Sequence, residues 1–551
     1  MNKQKLSDAL NQKNILLSVL IASLLIVSGV FLILQDLHGD PWYLTTVSGG
    51  KLLLVVVTVI LLIWFGAMSA VIFTNMDMTN RRFVVMNFVF GGMIILFDVL
   101  RKTVFQGASW NYVYPTHRYL MSIPVVVIFL IVLYAGVLYT PKLLESSDKR
   151  FVGAIYFITL LIGVLTFFSV PVTTEMMALT PSVPKPSHDF LYYPTIVLVE
   201  EGPIEFLARF HELPTLTGSN RRESARIIGE AVSQIEHLPF KQDISSYITE
   251  IETGRHGPIP SFLIAPFLIV LGVTPTSAIV GAYLLVAFTP IVGYYTFKQY
   301  FDETVSRYGS LFLVFSPALY IWLRHKTIPY DALTGLLIGI STYLLLRGIK
   351  NESKRTLSGA GIIFSLAALS KITVLPLLAS YFLLLLFFTD NKSTNMIITV
   401  LSMLIVPVSL LFFEYNFVAW YIFDIGRQTI IDNGSYSGAT SYLNNSVLAF
   451  GSAWYNIRLL GSHILLLVLG VVFMLPKIFK SRSQRELIGL SFVIPVLPFL
   501  LLSGITLSRH LLVILVPVVF TVLLAIDHFD LDHRFVQSCI AVSGLLLVIN
   551  F

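Results

Sequence analysis

The sequence predicts an all-α polytopic membrane protein, and three observations carry that reading. Of 551 residues, 56% are hydrophobic and only 12% charged, with a mean hydropathy of +0.80; soluble domains carry about 25% charged residues. A bilayer-crossing helix needs roughly 20 consecutive apolar residues, and such runs recur along the chain with short polar breaks between them. Lysine and arginine gather in those breaks, so the net charge of +6 reflects insertion topology and not a nucleic-acid surface. The single cysteine, Cys539, lies in the last apolar run, which excludes an internal disulfide and a cysteine-built metal site.

The first runs cover about 15–35, 51–74, 83–100, 119–140 and 151–171. The first follows Lys3, Lys5 and Lys13 and is longer than a signal-peptide core, so it is expected to be a retained helix with its N-terminus inside. Trp42, Tyr43, Trp110, Tyr112 and Tyr114 in the next outer loops read as an interfacial aromatic belt. A long polar segment, 172–256, precedes further runs at about 276–297, 308–323, 331–347, 357–370, 373–389, 394–413, 456–476, 487–503, 510–526 and 535–551. Within 172–256, Asn220 and Glu223 suit a capping box, and Ile227, Ile228, Ala231, Val232 and Ile235 form one apolar stripe, as in a juxtamembrane helix.

The run 258–271 is too short to cross and is interrupted by Pro258, Pro260 and Pro266. If it lies on the outer surface, the inner loops hold Lys298, Arg307, Arg347, Lys350, Lys354, Arg355 and most of the later cations; if it crosses, the bias inverts. The expectation is therefore a helical bundle of about fifteen transmembrane helices, with outer-side juxtamembrane helices and outer loops at 172–256 and 425–454. Residues 1–150 form an N-terminal four-helix module of unknown role and 151–551 a second module.

Transporters keep ionisable groups near the membrane midplane. Here the later spans hold none at mid-depth apart from His463. Charged residues collect instead at one level, the outer helix ends: His188, Asp189, His256, Arg324, His325, Lys326, Asp331, Lys371, Glu414, Arg509 and His510. Cations on that side oppose the insertion bias, and an anionic ligand embedded in the membrane, such as a lipid phosphate, explains them. For Lys371 and Arg509 the alternative is snorkelling to headgroups.

These residues fall in an order that resembles the GT-C superfamily of membrane glycosyltransferases, in particular the protein O-mannosyltransferase and lipid A aminoarabinose transferase branch, from about residue 151 to the C-terminus. The acidic element opening the family's outer loop is similar to His188-Asp189-Phe190-Leu191-Tyr192-Tyr193, with Glu200-Glu201-Gly202 after it. The element opening an interfacial helix is similar to His256-Gly257-Pro258-Ile259-Pro260. A Ser-Pro in a helix, an aromatic, an arginine and an acid opening the next helix correspond to Ser316-Pro317, Tyr320, Arg324 and Tyr330-Asp331. A short glycine-led helix ends in Lys371, and Arg509-His510 with Pro517 stands where the family has Arg-Tyr. Asp189 lacks the family's following glutamate and His510 replaces a tyrosine, so no single branch is assigned.

The resemblance implies a polyprenyl-phosphate sugar as donor and a hydroxyl acceptor on a protein, a lipid-linked glycan or a polymer. The site would lie on the extracytoplasmic side of a multi-pass protein of the cell membrane. Asp189 is the expected general base, a role contributing on the order of 10²- to 10⁴-fold. Arg324, Lys326, Lys371, Arg509 and His256 are expected at the donor phosphate, where growing negative charge rewards cations. Asp331 either orients Arg324 or Lys326 or shares a divalent cation with Asp189; no cofactor is certain. His188, Tyr192, Tyr193 and His510 are secondary candidates. The rival classes are a lipid or sugar transporter and a non-catalytic scaffold with a degenerate transferase fold.

Overall fold

The computed structural model describes residues 78–100, 117–168, 257–273, 275–324, 330–371, 374–375, 377–413, 484–502 and 507–549, with 68, 72, 195, 198–200, 202–204 and 206–207. Every regular element among them is helical. Three helices come first: α1 (Met78–Leu100), α2 (His117–Leu144) and α3 (Asp148–Phe168). Later in the chain follow α4 (Ile259–Leu271), α5 (Pro275–Val286), α6 (Thr289–Phe297), α7 (Glu303–Val314) and α8 (Ile321–Arg324). Then come α9 (Tyr330–Lys350), α10 (Lys354–Ser370), α11 (Leu377–Phe388), α12 (Lys392–Phe413), α13 (Gln484–Leu502), α14 (Leu507–Phe529) and α15 (His533–Ile549).

Five stretches among the described residues are long and apolar enough to cross a membrane: Asp148–Phe167, Ser277–Phe297, Asp331–Lys350, Lys392–Phe412 and Leu512–Phe529. The fold is thus an all-α membrane bundle. The first span and the run 456–476 lie outside the described residues.

Proline and glycine set the boundaries. Pro258 opens α4, and Gly272 at φ +90° closes it after 13 residues, a length of about 20 Å, well short of the hydrocarbon core. The run 276–297 bends between α5 and α6, because Pro290 cannot donate to the carbonyl one turn back. The run expected as one span over 308–323, with Ser316-Pro317 inside a helix, is broken instead. Helix α7 stops at Val314, Ser316 is extended (φ −74°, ψ 119°), and a 3₁₀ turn at Pro317–Leu319 leads into α8. The residue before a proline is pushed out of the helical region, and Pro317 supplies no N–H to continue the ladder. Tyr320, fully buried, ties the break together by donating its hydroxyl to the Val314 carbonyl.

Lipid is as apolar as leucine, so packing and polar contacts, not water exclusion, hold the helices together. Gly361 lets α10 lie on the backbone of Thr399 in α12, beside a hydrogen bond between Ser358 and Ser402 at 2.7 Å. Gly335 brings α9 onto the Leu512 carbonyl of α14. The last helix, α15, packs on α1 and α2: Asn87 donates to Ser538 Oγ (3.0 Å), Gln537 donates to the Val137 carbonyl (2.6 Å), and Gly544 sits against Leu133.

Helix α9 fixes two levels. Asp331 lies at one end; at the other, about 30 Å away for 21 residues, Lys350 donates to the Gln299 carbonyl beside Lys298. The described charged clusters sort onto these two ends.

Candidate functional site

At the first end, α10 stops at Ser370 and the chain turns extended at Lys371 (φ −155°, ψ 115°), whose N–H still bonds the Ala367 carbonyl at 2.9 Å. The Lys371 Nζ forms an ion pair with Asp331 Oδ1 in the first turn of α9, and the two side chains are only 4% and 3% exposed. That burial decides between the two readings of Lys371: it does not reach for headgroups but is turned inward onto a carboxylate. The pair is held in a region where unpaired charge would be very costly.

Two further elements meet at this level. The Gly257 N–H bonds the Ser370 carbonyl at 2.9 Å, which anchors the opening of α4 next to Lys371. Pro258, Ile259 and Pro260 are buried there. Gly335 is one turn after Asp331, and its contact with Leu512 sets the first turn of α14, which carries Arg509 and His510, at the same end of the bundle. Helix α8 ends at Arg324, seven residues before Asp331 in the chain.

The stretch 195–207 joins through α4. Leu198, Phe206 and Leu207 are buried, and the Phe206 ring meets Phe262 of α4 edge-on at 5.4 Å. Gly202, at φ +91°, accommodates a turn between hydrogen bonds from Gly202 N–H to Leu198 and from Phe206 N–H to Gly202. The stretch that begins two residues after Tyr193 is therefore fastened to the same helix whose opening lies beside Lys371.

Of the expected site residues, Asp331 and Lys371 are brought into contact. Arg324, Arg509 and His510 are placed by their helices, with backbone alone described. His188, Asp189, Tyr192, Tyr193, His256 and Lys326 lie outside the described residues. The described ion-pair partner of Asp331 is Lys371, forty residues on, a pairing that no spacing in the sequence announces. Among the described residues no three His, Cys, Asp or Glu side chains gather as a metal site.

The opposite end holds a network that sequence reasoning missed. Arg307, almost fully buried, donates to Asp148 Oδ1 at 2.9 Å, to Glu303 and to the Leu144 carbonyl. Lys298 pairs with Asp148 Oδ2 at 2.5 Å, and the Tyr294 hydroxyl donates to the same carboxylate at 2.8 Å. The Asp148 hydrogen bond holds the Lys298 ammonium well above its usual range. The one local signal was Glu303 and Arg307 at i,i+4; the contact to Asp148 is non-local.

A multi-spanning helical bundle with an acid–base pair buried at one end is the class that fold and charge layout define. Residues 255–414, from the opening of α4 to the end of α12, match the dolichyl-phosphate-mannose-protein mannosyltransferase family. The match supports a membrane glycosyltransferase of GT-C type, as the ordered landmarks implied, and it spans the Asp331–Lys371 pair and Gly257. No curated protein and no solved structure matches the chain.

Proposed function

We propose that the chain transfers a sugar from a polyprenyl-phosphate-linked donor to an acceptor hydroxyl at the outer face of the membrane, with inversion. What supports this reading is the meeting, at one end of the bundle, of the Asp331–Lys371 pair, the opening of α4 and the first turn of α14. The matched family supplies the chemistry to expect there: its printed name joins a dolichyl-phosphate-mannose donor to a protein acceptor. For this chain the acceptor is a protein, a lipid-linked glycan or a polymer, with membrane lipids around the site.

Asp189 acts as general base on the acceptor hydroxyl, and the lipid phosphate departs from the opposite face of the sugar. Arg324, Lys326, Arg509 and His256 hold that phosphate. Lys371 differs from them: it lies buried on the Asp331 carboxylate and fixes where α9 and α10 meet at the phosphate. His188, Tyr192, Tyr193 and His510 flank the sugar. A divalent cation shared by Asp189 and Asp331 fits poorly, because the Lys371 ammonium already lies on the Asp331 carboxylate, and no step is assigned to one. In this reading the bundle has about fifteen spans, the transferase module is 151–551, and 1–150 is an N-terminal four-helix module packed against its last helix.

The test is incubation of the purified protein with a panel of polyprenyl-phosphate sugars while lipid-phosphate release is followed. Asp189→Asn should keep donor binding and lose on the order of 10²- to 10⁴-fold in transfer. Release that no sugar donor stimulates, or normal turnover in Asp189→Asn, would sink the assignment.

A further inference from the structure

Many buried serines and threonines described in the helices return their hydroxyl to the carbonyl one turn back, among them Thr159 to Ile155, Thr166 to Ile162, Ser370 to Leu366, Thr389 to Leu385, Thr399 to Asn395 and Ser491 to Leu487. Ser261 departs from this habit. It is fully buried, on the stripe Ser261, Ile264, Ala265 and Leu268 that α4 turns to the bundle, yet its Oγ has no hydrogen-bond partner. An unsatisfied buried hydroxyl costs about 1–3 kcal/mol, so each one calls for an explanation; Thr289 and Tyr134 carry others, but Ser261 is the one at the opening of α4.

Its surroundings supply that explanation. Ser261 is in the first turn of α4, a helix start without any side-chain cap. Pro258 and Pro260 contribute no N–H, and the Ser261 N–H is turned back onto the Pro258 carbonyl at 3.0 Å. The first turn is thus poor in backbone donors, and the Ser261 hydroxyl is what it offers an acceptor. One turn away, Gly257 is bonded to Ser370 beside Lys371. A hydroxyl donor at the level of an ammonium group suits an anionic oxygen.

We propose that Ser261 is a ligand of the lipid-linked phosphate, its Oγ donating a hydrogen bond to a non-bridging phosphate oxygen at the start of α4. The assignment rests on the glycosyl-transfer reading above and adds a residue that none of the sequence landmarks contains.

The test uses the full chain in lipid nanodiscs and a polyprenyl phosphate carrying no sugar, with affinity and thermal midpoint measured for wild type and Ser261→Ala. Without ligand the variant should melt at the wild-type midpoint or above it, since an unpaired hydroxyl is removed. Its affinity for the lipid phosphate should fall on the order of 10-fold, the worth of a hydrogen bond to a charged group. Equal affinity in both proteins overturns the role of Ser261 alone, as does a variant whose unliganded midpoint drops, the mark of a structural hydroxyl. A wild-type protein that binds no polyprenyl phosphate overturns the transferase reading as well. Inorganic phosphate is the second arm: a Ser261-dependent response equal to that of the lipid would make this a free-phosphate site and overturn the donor assignment.

Discussion

The two ends of helix α9 solve the same problem of charge in a membrane protein differently. At one end an ammonium and a carboxylate, Lys371 and Asp331, are both almost fully buried and paired with each other. At the other, Asp148 and Glu303 share Lys298 and Arg307, and only Arg307 is buried while its partners stay partly in contact with the surroundings. A branched, part-exposed network tolerates the loss of a member, because the remaining charges find substitutes or water. A pair buried away from water has much less of that reserve. The buried pair thus sits at the end of the bundle where α4 opens.

The sharpest way to break this contrast is to remove one partner of the buried pair. Asp331→Ala or Lys371→Met alone should cost about 3–5 kcal/mol by stranding a charge, read as a large fall in thermal midpoint in detergent, with loss of transfer. The double change Asp331→Leu with Lys371→Met should recover most of the stability and none of the transfer. Recovery of both would make the pair structural only.

A smaller effect is expected at the close approach that aligns α14 with this end. A Cβ on Gly335 would press on the Leu512 carbonyl, so Gly335→Ala should cost about 1–3 kcal/mol through overpacking. Donor affinity should weaken with it, because the turn bearing Arg509 is displaced. A midpoint and affinity both unchanged would show that α14 is not positioned by this contact.

The smallest effect belongs to the other end. Asp148→Asn should cost about 1 kcal/mol, since Arg307 keeps Glu303 and exposed pairs contribute little, and should leave sugar transfer intact. The sign of the alkaline limb follows from Lys298, whose folded value is raised. Its contribution is fully present below the unfolded value of 10.5 and is lost only as pH rises through the folded one. Midpoints in the wild type measured from pH 7 to 9 should therefore show no loss from this group, and a decline that Asp148→Asn abolishes would contradict the pairing.

Much of the fold was legible because it depends on local chemistry. The bounds of α4 follow from three prolines and a glycine, and the opening and end of α9 differ from the apolar run 331–347 only by the extra turn to Lys350. The break at Ser316-Pro317 was misread as helix interior, although the same residues carry the signal: apolar character runs through the break, and hydropathy alone cannot register a missing N–H. At the candidate site, Asp331 and Lys371 were both singled out, but their contact was not, since forty residues of intervening chain carry no trace of who meets whom. Arg307 was counted as an inner-loop cation, which describes its level but not its burial. Ser261 was invisible to sequence because its distinction is a partner it lacks.

The cancellation of charge between Lys371 and Asp331 bears on energetics beyond stability. A membrane potential exerts about 2.3 kcal/mol per elementary charge per 100 mV on a group that crosses its full field, yet a pair of opposite charges moving as one unit transports none. Any shift of α9 with α10 that admits a substrate is therefore electrically silent as far as these two residues go, and their part in turnover runs alike in energised and in depolarised vesicles.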